Sequence, residues 1–163
     1  MIGKNFNLVP FYDNNLDLSI TAEVKIVGDN INFFFAMKGD LAPIYIHADN
    51  KKLNRVIGLW TSTCFEFFIL NTLEGEYFEF NFGTDSSWNC FFFNSYRSEL
   101  TEYTELSIED IIITNSEDLH TLSCSFPLAK LGHSFEDLSL LKVSATSVIK
   151  AEENKTYYYS NKH

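Results

Sequence analysis

Ser62-Thr63-Cys64-Phe65-Glu66-Phe67-Phe68-Ile69-Leu70, then Tyr77-Phe78-Glu79-Phe80-Asn81-Phe82-Gly83, then Trp88-Asn89-Cys90-Phe91-Phe92-Phe93-Asn94, are three strand-like runs joined by residues 71–76 and 84–87. Read as an antiparallel meander, they set Glu66 opposite Asn81 and Phe68 opposite Glu79. Across the second turn, Asn81 falls opposite Cys90 and Glu79 opposite Phe92. Side chains alternate between the two faces of a strand. One face then carries Phe65, Phe67, Ile69, Phe78, Phe80, Phe82, Phe91 and Phe93, a phenylalanine slab that belongs in a core. A slip of one residue would turn the whole slab to water, so parity is strongly specified.

The same pattern extends outward. Ile20, Ala22, Val24 and Ile26 alternate with polar residues, Gly28-Asp29-Asn30 supplies a turn, and Ile31, Phe33, Phe35 and Met37 follow at period two, which predicts a hairpin. Further strands are expected at Ile44–Ala48, Leu119–Phe126, Lys142–Lys150 and Thr156–Ser160. Ser107–Ile112 and Pro127–Leu131 suggest short helical turns, with Pro127 suited to a first helical position. Many short strands at this spacing predict an all-β, antiparallel β-sandwich with short helical turns. With 163 residues and no linker, residues 1–163 are expected to form a single domain.

Composition narrows the function. Lys and Arg number 12 against 22 Asp and Glu, a net charge of −10. An acidic surface repels phosphate backbones and anionic lipid heads, so nucleic-acid and membrane partners are disfavoured. No apolar run approaches the ~18 residues of a membrane span. Residues 1–15 lack the basic start and apolar stretch of a signal peptide, so a cytoplasmic location is expected. Cys64, Cys90 and Cys124 have no metal-ligand spacing and lie in apolar runs, where they read as buried free thiols.

The face behind the slab holds Cys64, Glu66, Phe68, Leu70, Tyr77, Glu79, Asn81, Gly83, Trp88, Cys90, Phe92 and Asn94. It is too apolar for a solvated face and too charged for a dry core, where an unpaired carboxylate is costly. Apolar walls with a few convergent polar groups describe a small-molecule site. Gly83 beside Trp88 would let a ligand come close to the backbone. The structural alternative pairs Glu66 and Glu79 with Arg97, Arg55 or a lysine, or places them under a covering loop.

The run Gly58 to Phe68, with Tyr77-Phe78-Glu79-Phe80-Asn81-Phe82, Ser87-Trp88 and Ser95-Tyr96-Arg97, resembles the DOMON-like superfamily. It is most similar to an uncharacterised bacterial branch with an L-W-x-x-T-C-F-E-x-F start and an E-F-N-F-type next strand. The superfamily also includes family 9 carbohydrate-binding modules. The resemblance covers residues 58–97 and implies a β-sandwich whose relatives bind sugars or haem on a sheet face. Tyr157-Tyr158-Tyr159 stands where that pattern has a tryptophan, and the chain stops at His163, before a tail usual in the branch.

Several chemistries compete for these residues. Sugar rings stack on aromatics while their hydroxyls need charged or amide partners. Trp60, Trp88 and Tyr77 are the aromatic candidates; Glu66, Glu79, Asn81 and Arg97 are the polar ones. Trp60 has the alternative of plugging a sandwich end. Haem needs axial ligands such as Met37 and His47, which read better as a core methionine and a hydrogen-bonded strand histidine. Glu66 and Glu79 could flank a glycosidic bond, but any two glutamates on one sheet face could. Asp13-Asn14-Asn15-Leu16-Asp17 lacks EF-hand spacing and reads as a turn. The expectation is a non-catalytic domain for a small-molecule ligand, a sugar fitting best, with no cofactor and no metal. A dimerisation scaffold (a homodimer) and a small glycoside hydrolase are the alternatives.

Overall fold

The computed structural model describes residues 3–47, 52–96 and 98–161. Its strands are β1 (Gly3–Pro10), β2 (Leu18–Val27), β3 (Asn30–Gly39), β4 (Asn54–Arg55), β5 (Cys64–Asn71), β6 (Tyr77–Gly83), β7 (Ser87–Phe93), β8 (Thr101–Glu102), β9 (Ile111–Asn115), β10 (Leu119–Pro127), β11 (Leu141–Ala151) and β12 (Lys155–Asn161). The protein is all-β. Its strands join in the order β4-β7-β6-β5-β11-β12-β1-β2-β3-β10-β9, with β8 added to β7. One curled sheet, a half-barrel, takes the place of the two hydrogen-bonded sheets expected. It is mixed, because β4 runs parallel to β7. β12 lies between β11 and β1 and joins the two halves.

The curl brings the apolar faces of the two halves together. Phe33 of β3 stacks on Phe67 of β5 at 4.4 Å and meets Phe80 of β6 at 5.0 Å. Phe35 stacks on Phe65 at 4.9 Å, and Phe126 of β10 reaches Phe80 at 5.5 Å. All these rings are buried. Each buried Phe contributes about 1.5–3 kcal/mol, and such ring pairs about 0.5–1.5 kcal/mol beyond their area. The hairpin of β2 and β3 and the pairing of Glu66 with Asn81 and Phe68 with Glu79 are as expected.

The third strand of the meander is turned over relative to expectation. Phe82 pairs with Trp88, Asn81 with Asn89, and Glu79 with Phe91. Trp88, Cys90 and Phe92 therefore lie on the slab face, and Phe91 and Phe93 lie on the face of Glu79. The cause is the turn between β6 and β7. Three residues, Thr84 to Ser86, separate the strands, and Ser86 is left-handed at φ 67°. A three-residue hairpin closed by a left-handed residue is a standard solution, with glycine its usual sign. Here serine holds that position. Asp85 Oδ1 accepts hydrogen bonds from the Ser87 amide and hydroxyl. A Cβ on Gly83 would collide with the Ser87 hydroxyl, so the turn's own side chain fills the space expected for a ligand.

Smaller differences have similar causes. β1 has one buried side chain, Leu8, and so shows no alternation. Ile44 makes one isolated bridge, to Ala151, rather than a strand; Ala48 lies outside the described residues. The expected helical turn at Ser107–Ile112 is irregular chain leading into β9. Pro127 precedes a short 3-10 turn, Leu128–Leu131, as its N-cap. Cys64, Cys90 and Cys124 are buried and unpaired with one another, and burial pushes all three thiols up. Met37 is wholly buried in the core, whereas His47 is at the surface.

Candidate functional site

Glu66, Asn81, Glu79 and Tyr77 share the sheet face behind the phenylalanine slab, as their spacing requires. Asn81 Nδ2 donates to Glu79 Oε1 at 2.9 Å. Thr146 Oγ1, directly across from Glu66 on β11, donates to Glu66 Oε2 at 2.6 Å. Among the described residues neither glutamate forms an ion pair. Burial raises Glu66 to about 7, with the Thr146 bond opposing the rise and the Glu79 charge adding to it. Burial also raises Glu79, against the bond from Asn81. Asn81 is fully buried, and its Oδ1 has no hydrogen-bond partner.

Arg55, one of the cations named as alternative partners for these carboxyls, is engaged elsewhere. Its guanidinium lies 4.2 Å over the Trp88 ring. It donates to Asn89 Oδ1 at 2.9 Å, to the Tyr103 carbonyl at 3.1 Å and to the Leu106 carbonyl, and meets Glu102 at 3.5 Å. Asn89 also donates to the Val56 carbonyl. Arg55 thus clamps the β4–β7 edge to residues 103–106.

The aromatic candidates divide. Trp88 is 4% exposed, on the opposite face from Glu66, and belongs to the core. Trp60 is the middle residue of the short turn Leu59–Thr61 and sets its ring edge-on to Phe91 at 5.9 Å. It sits on the Glu79 side of the sheet as a cover. Tyr77 stacks flat on Phe93 at 4.4 Å. Arg97 lies outside the described residues.

The open space is next to Glu66, on the side away from Trp60. A cleft of about 460 Å³ lies over β5, β11 and β12, walled by Phe11, Tyr12, Phe68 and Tyr158 with Glu66 and Thr146 among its lining. Phe11, Tyr12 and Tyr158 are 66%, 76% and 53% exposed. The Phe11 amide donates to the Tyr158 carbonyl at 2.8 Å, which pins the chain after β1 against β12. Such rings exposed together, around one half-buried carboxyl, are unusual for a solvated surface. They suit a flat, partly apolar molecule with hydroxyl or amine groups on its rim. Sequence reasoning missed Phe11, Tyr12, Thr146 and Tyr158. Phe11 and Tyr12 follow a strand that shows no alternation, whereas the Tyr157–Tyr159 run was a visible signal.

Among the described residues Glu66 is the one carboxyl that lines the cleft. Among the described residues no group of three or more His, Cys, Asp and Glu side chains could hold a metal ion. No helix there is long and apolar enough to cross a membrane.

The fold has a counterpart among solved structures, a "putative carbohydrate-binding protein" from Bacteroides uniformis ATCC 8492. The TM-score is 0.66 at 11% identity, over 98% of this chain and 75% of that one. The likeness is one of fold. No protein-family model matches the chain, and no curated protein matches it.

Proposed function

We propose that the chain is a single, non-catalytic, cytoplasmic ligand-binding domain of DOMON-like descent, and that it takes a carbohydrate in the Glu66 cleft. The observation that carries this reading is the cleft itself: exposed rings of Phe11, Tyr12 and Tyr158 around a half-buried carboxyl that has no cation beside it among the described residues. Ring faces accept the C–H side of a sugar, and a carboxyl accepts its hydroxyls. The fold of the Bacteroides protein supports the same reading. Glu79 and Asn81 stand beside Glu66 on the neighbouring strand, outside the cleft lining, and Trp60 and Tyr77 pack on Phe91 and Phe93 further along the same face. Arg97 keeps its place as a candidate polar partner on sequence grounds.

Isothermal titration against a panel of mono- and oligosaccharides tests the reading. Binding that Tyr158→Ala abolishes, with folding intact, is the expected result. No binding across the panel would overturn it. The exposed aromatic rim favours one other reading, a homodimer in which a second copy covers Phe11, Tyr12 and Tyr158. Gel filtration at two concentrations separates the two, since a concentration-independent monomer leaves the rim open.

A further inference from the structure

The charge and hydrogen-bonding character of the cleft narrow the ligand, on the premise that the carbohydrate reading is right. Among the described residues no Lys, Arg or His lines it, and Glu66 is its only acidic side chain. Thr146 Oγ1 already gives its proton to Glu66. Asn81, directly across β5–β6, is buried outside the cleft lining, and its amide nitrogen donates to Glu79. Glu66 is therefore the charged group that a ligand meets in the cleft, beside the hydroxyls of Tyr12, Tyr158 and Ser160, which donate as well as accept. We propose that the cleft selects a sugar carrying a free, protonated amine over the corresponding neutral and acidic sugars.

An ammonium has three donors and no acceptor, the complement of the Glu66 carboxylate. Aromatic faces attract cations as well as C–H groups, so the rings of Tyr12 and Tyr158 would favour the amine end without a second carboxylate. The net charge of −10 draws cations toward the whole molecule and repels uronates and sugar phosphates. The raised Glu66 carboxyl fits a site that lacks its counter-charge. An ammonium set against it would supply that charge and favour the ionised form.

Titration followed by NMR, at fixed pH and salt, compares glucose, glucosamine, N-acetylglucosamine and glucuronate, and the galactose series alongside. The amino sugar is expected to bind about tenfold tighter than its parent hexose, as one charge-assisted bond implies. The N-acetyl form, with the charge removed, should fall back to the parent value. Glu66→Gln should bring amino sugar and parent to within about twofold, while Tyr158→Ala weakens every member, the amino sugar most. If the parent hexose binds in a Tyr158-dependent way but the amine adds nothing, or if the uronate is tightest, the amine preference is wrong and the carbohydrate reading stands. If no member binds, both fall.

Discussion

Thr146 Oγ1 and Glu66 Oε2 are 2.6 Å apart across the β5–β11 pair, the hydroxyl donating to the carboxyl. This bond is the one local interaction that favours the ionised form of a carboxyl otherwise raised by burial and by Glu79. Thr146→Val removes the donor while keeping the shape. The Glu66 carboxyl is then expected to titrate above its value of about 7, by carbon-13 NMR of the side chain. A downward shift would show that the hydroxyl does not stabilise the carboxylate.

The raised carboxyl also makes stability depend on pH. Glu66 titrates near 7 in the folded protein against 4.5 for an ordinary glutamate. Between those values the folded state holds a proton that the unfolded chain has released. Its contribution is therefore full below about pH 4.5, falls as pH rises to about 7, and levels off above. Relative to wild type, Glu66→Gln should gain on the order of 3 kcal/mol across that window. Urea denaturation from pH 4.5 to 8 measures it; Glu79, raised in the same direction, adds to the slope of both proteins.

Trp88 and Tyr158 should respond oppositely to truncation. Trp88 is buried, paired with Phe82 across the sheet and covered by the Arg55 guanidinium, so Trp88→Ala should cost about 3–5 kcal/mol of stability. Tyr158 is half in solvent at the cleft. Tyr158→Ala should change stability by less than about 1 kcal/mol and remove sugar binding. Thermal melts with calorimetric titration compare the two, and a stable Trp88→Ala protein would contradict the register of β7.

Arg55 holds an edge strand of two residues through its side chain. Arg55→Lys keeps the charge but loses the planar fork and the stacking on Trp88, so it should recover less than half of the loss caused by Arg55→Ala. That loss should be about 3 kcal/mol, because the Asn89 side chain and the Tyr103 and Leu106 carbonyls lose a charged donor. Hydrogen exchange should rise first in β4 and at residues 103–106.

The faces of β5 and β6 were legible because Phe and Ile alternate there with Glu, Asn and Tyr, and only one parity hides the rings. β7 was not, because Trp88, Cys90, Phe91 and Phe93 are buried on both of its faces. An apolar run without contrast carries no parity, and a left-handed serine hid the turn type. Glu66, Glu79 and Asn81 could be grouped by alternation alone. The cleft could not, since it joins β5 to β12 and to Phe11 and Tyr12, residues brought together by strand order rather than by local pattern.

The place of β12 sets the order in which the molecule can be made. Among the described residues Lys155–Asn161 is the only strand bridging β11 to β1, and it follows β1 to β11 in chain order, so a ribosome delivers this keystone after them. Until then the outer edges of β1 and β11 wait with unpaired amides and carbonyls, the kind of edge that recruits stray chains. High contact order of this sort slows folding. Maturation should therefore be late and cooperative, with nascent chains most prone to aggregate just before the final strand arrives.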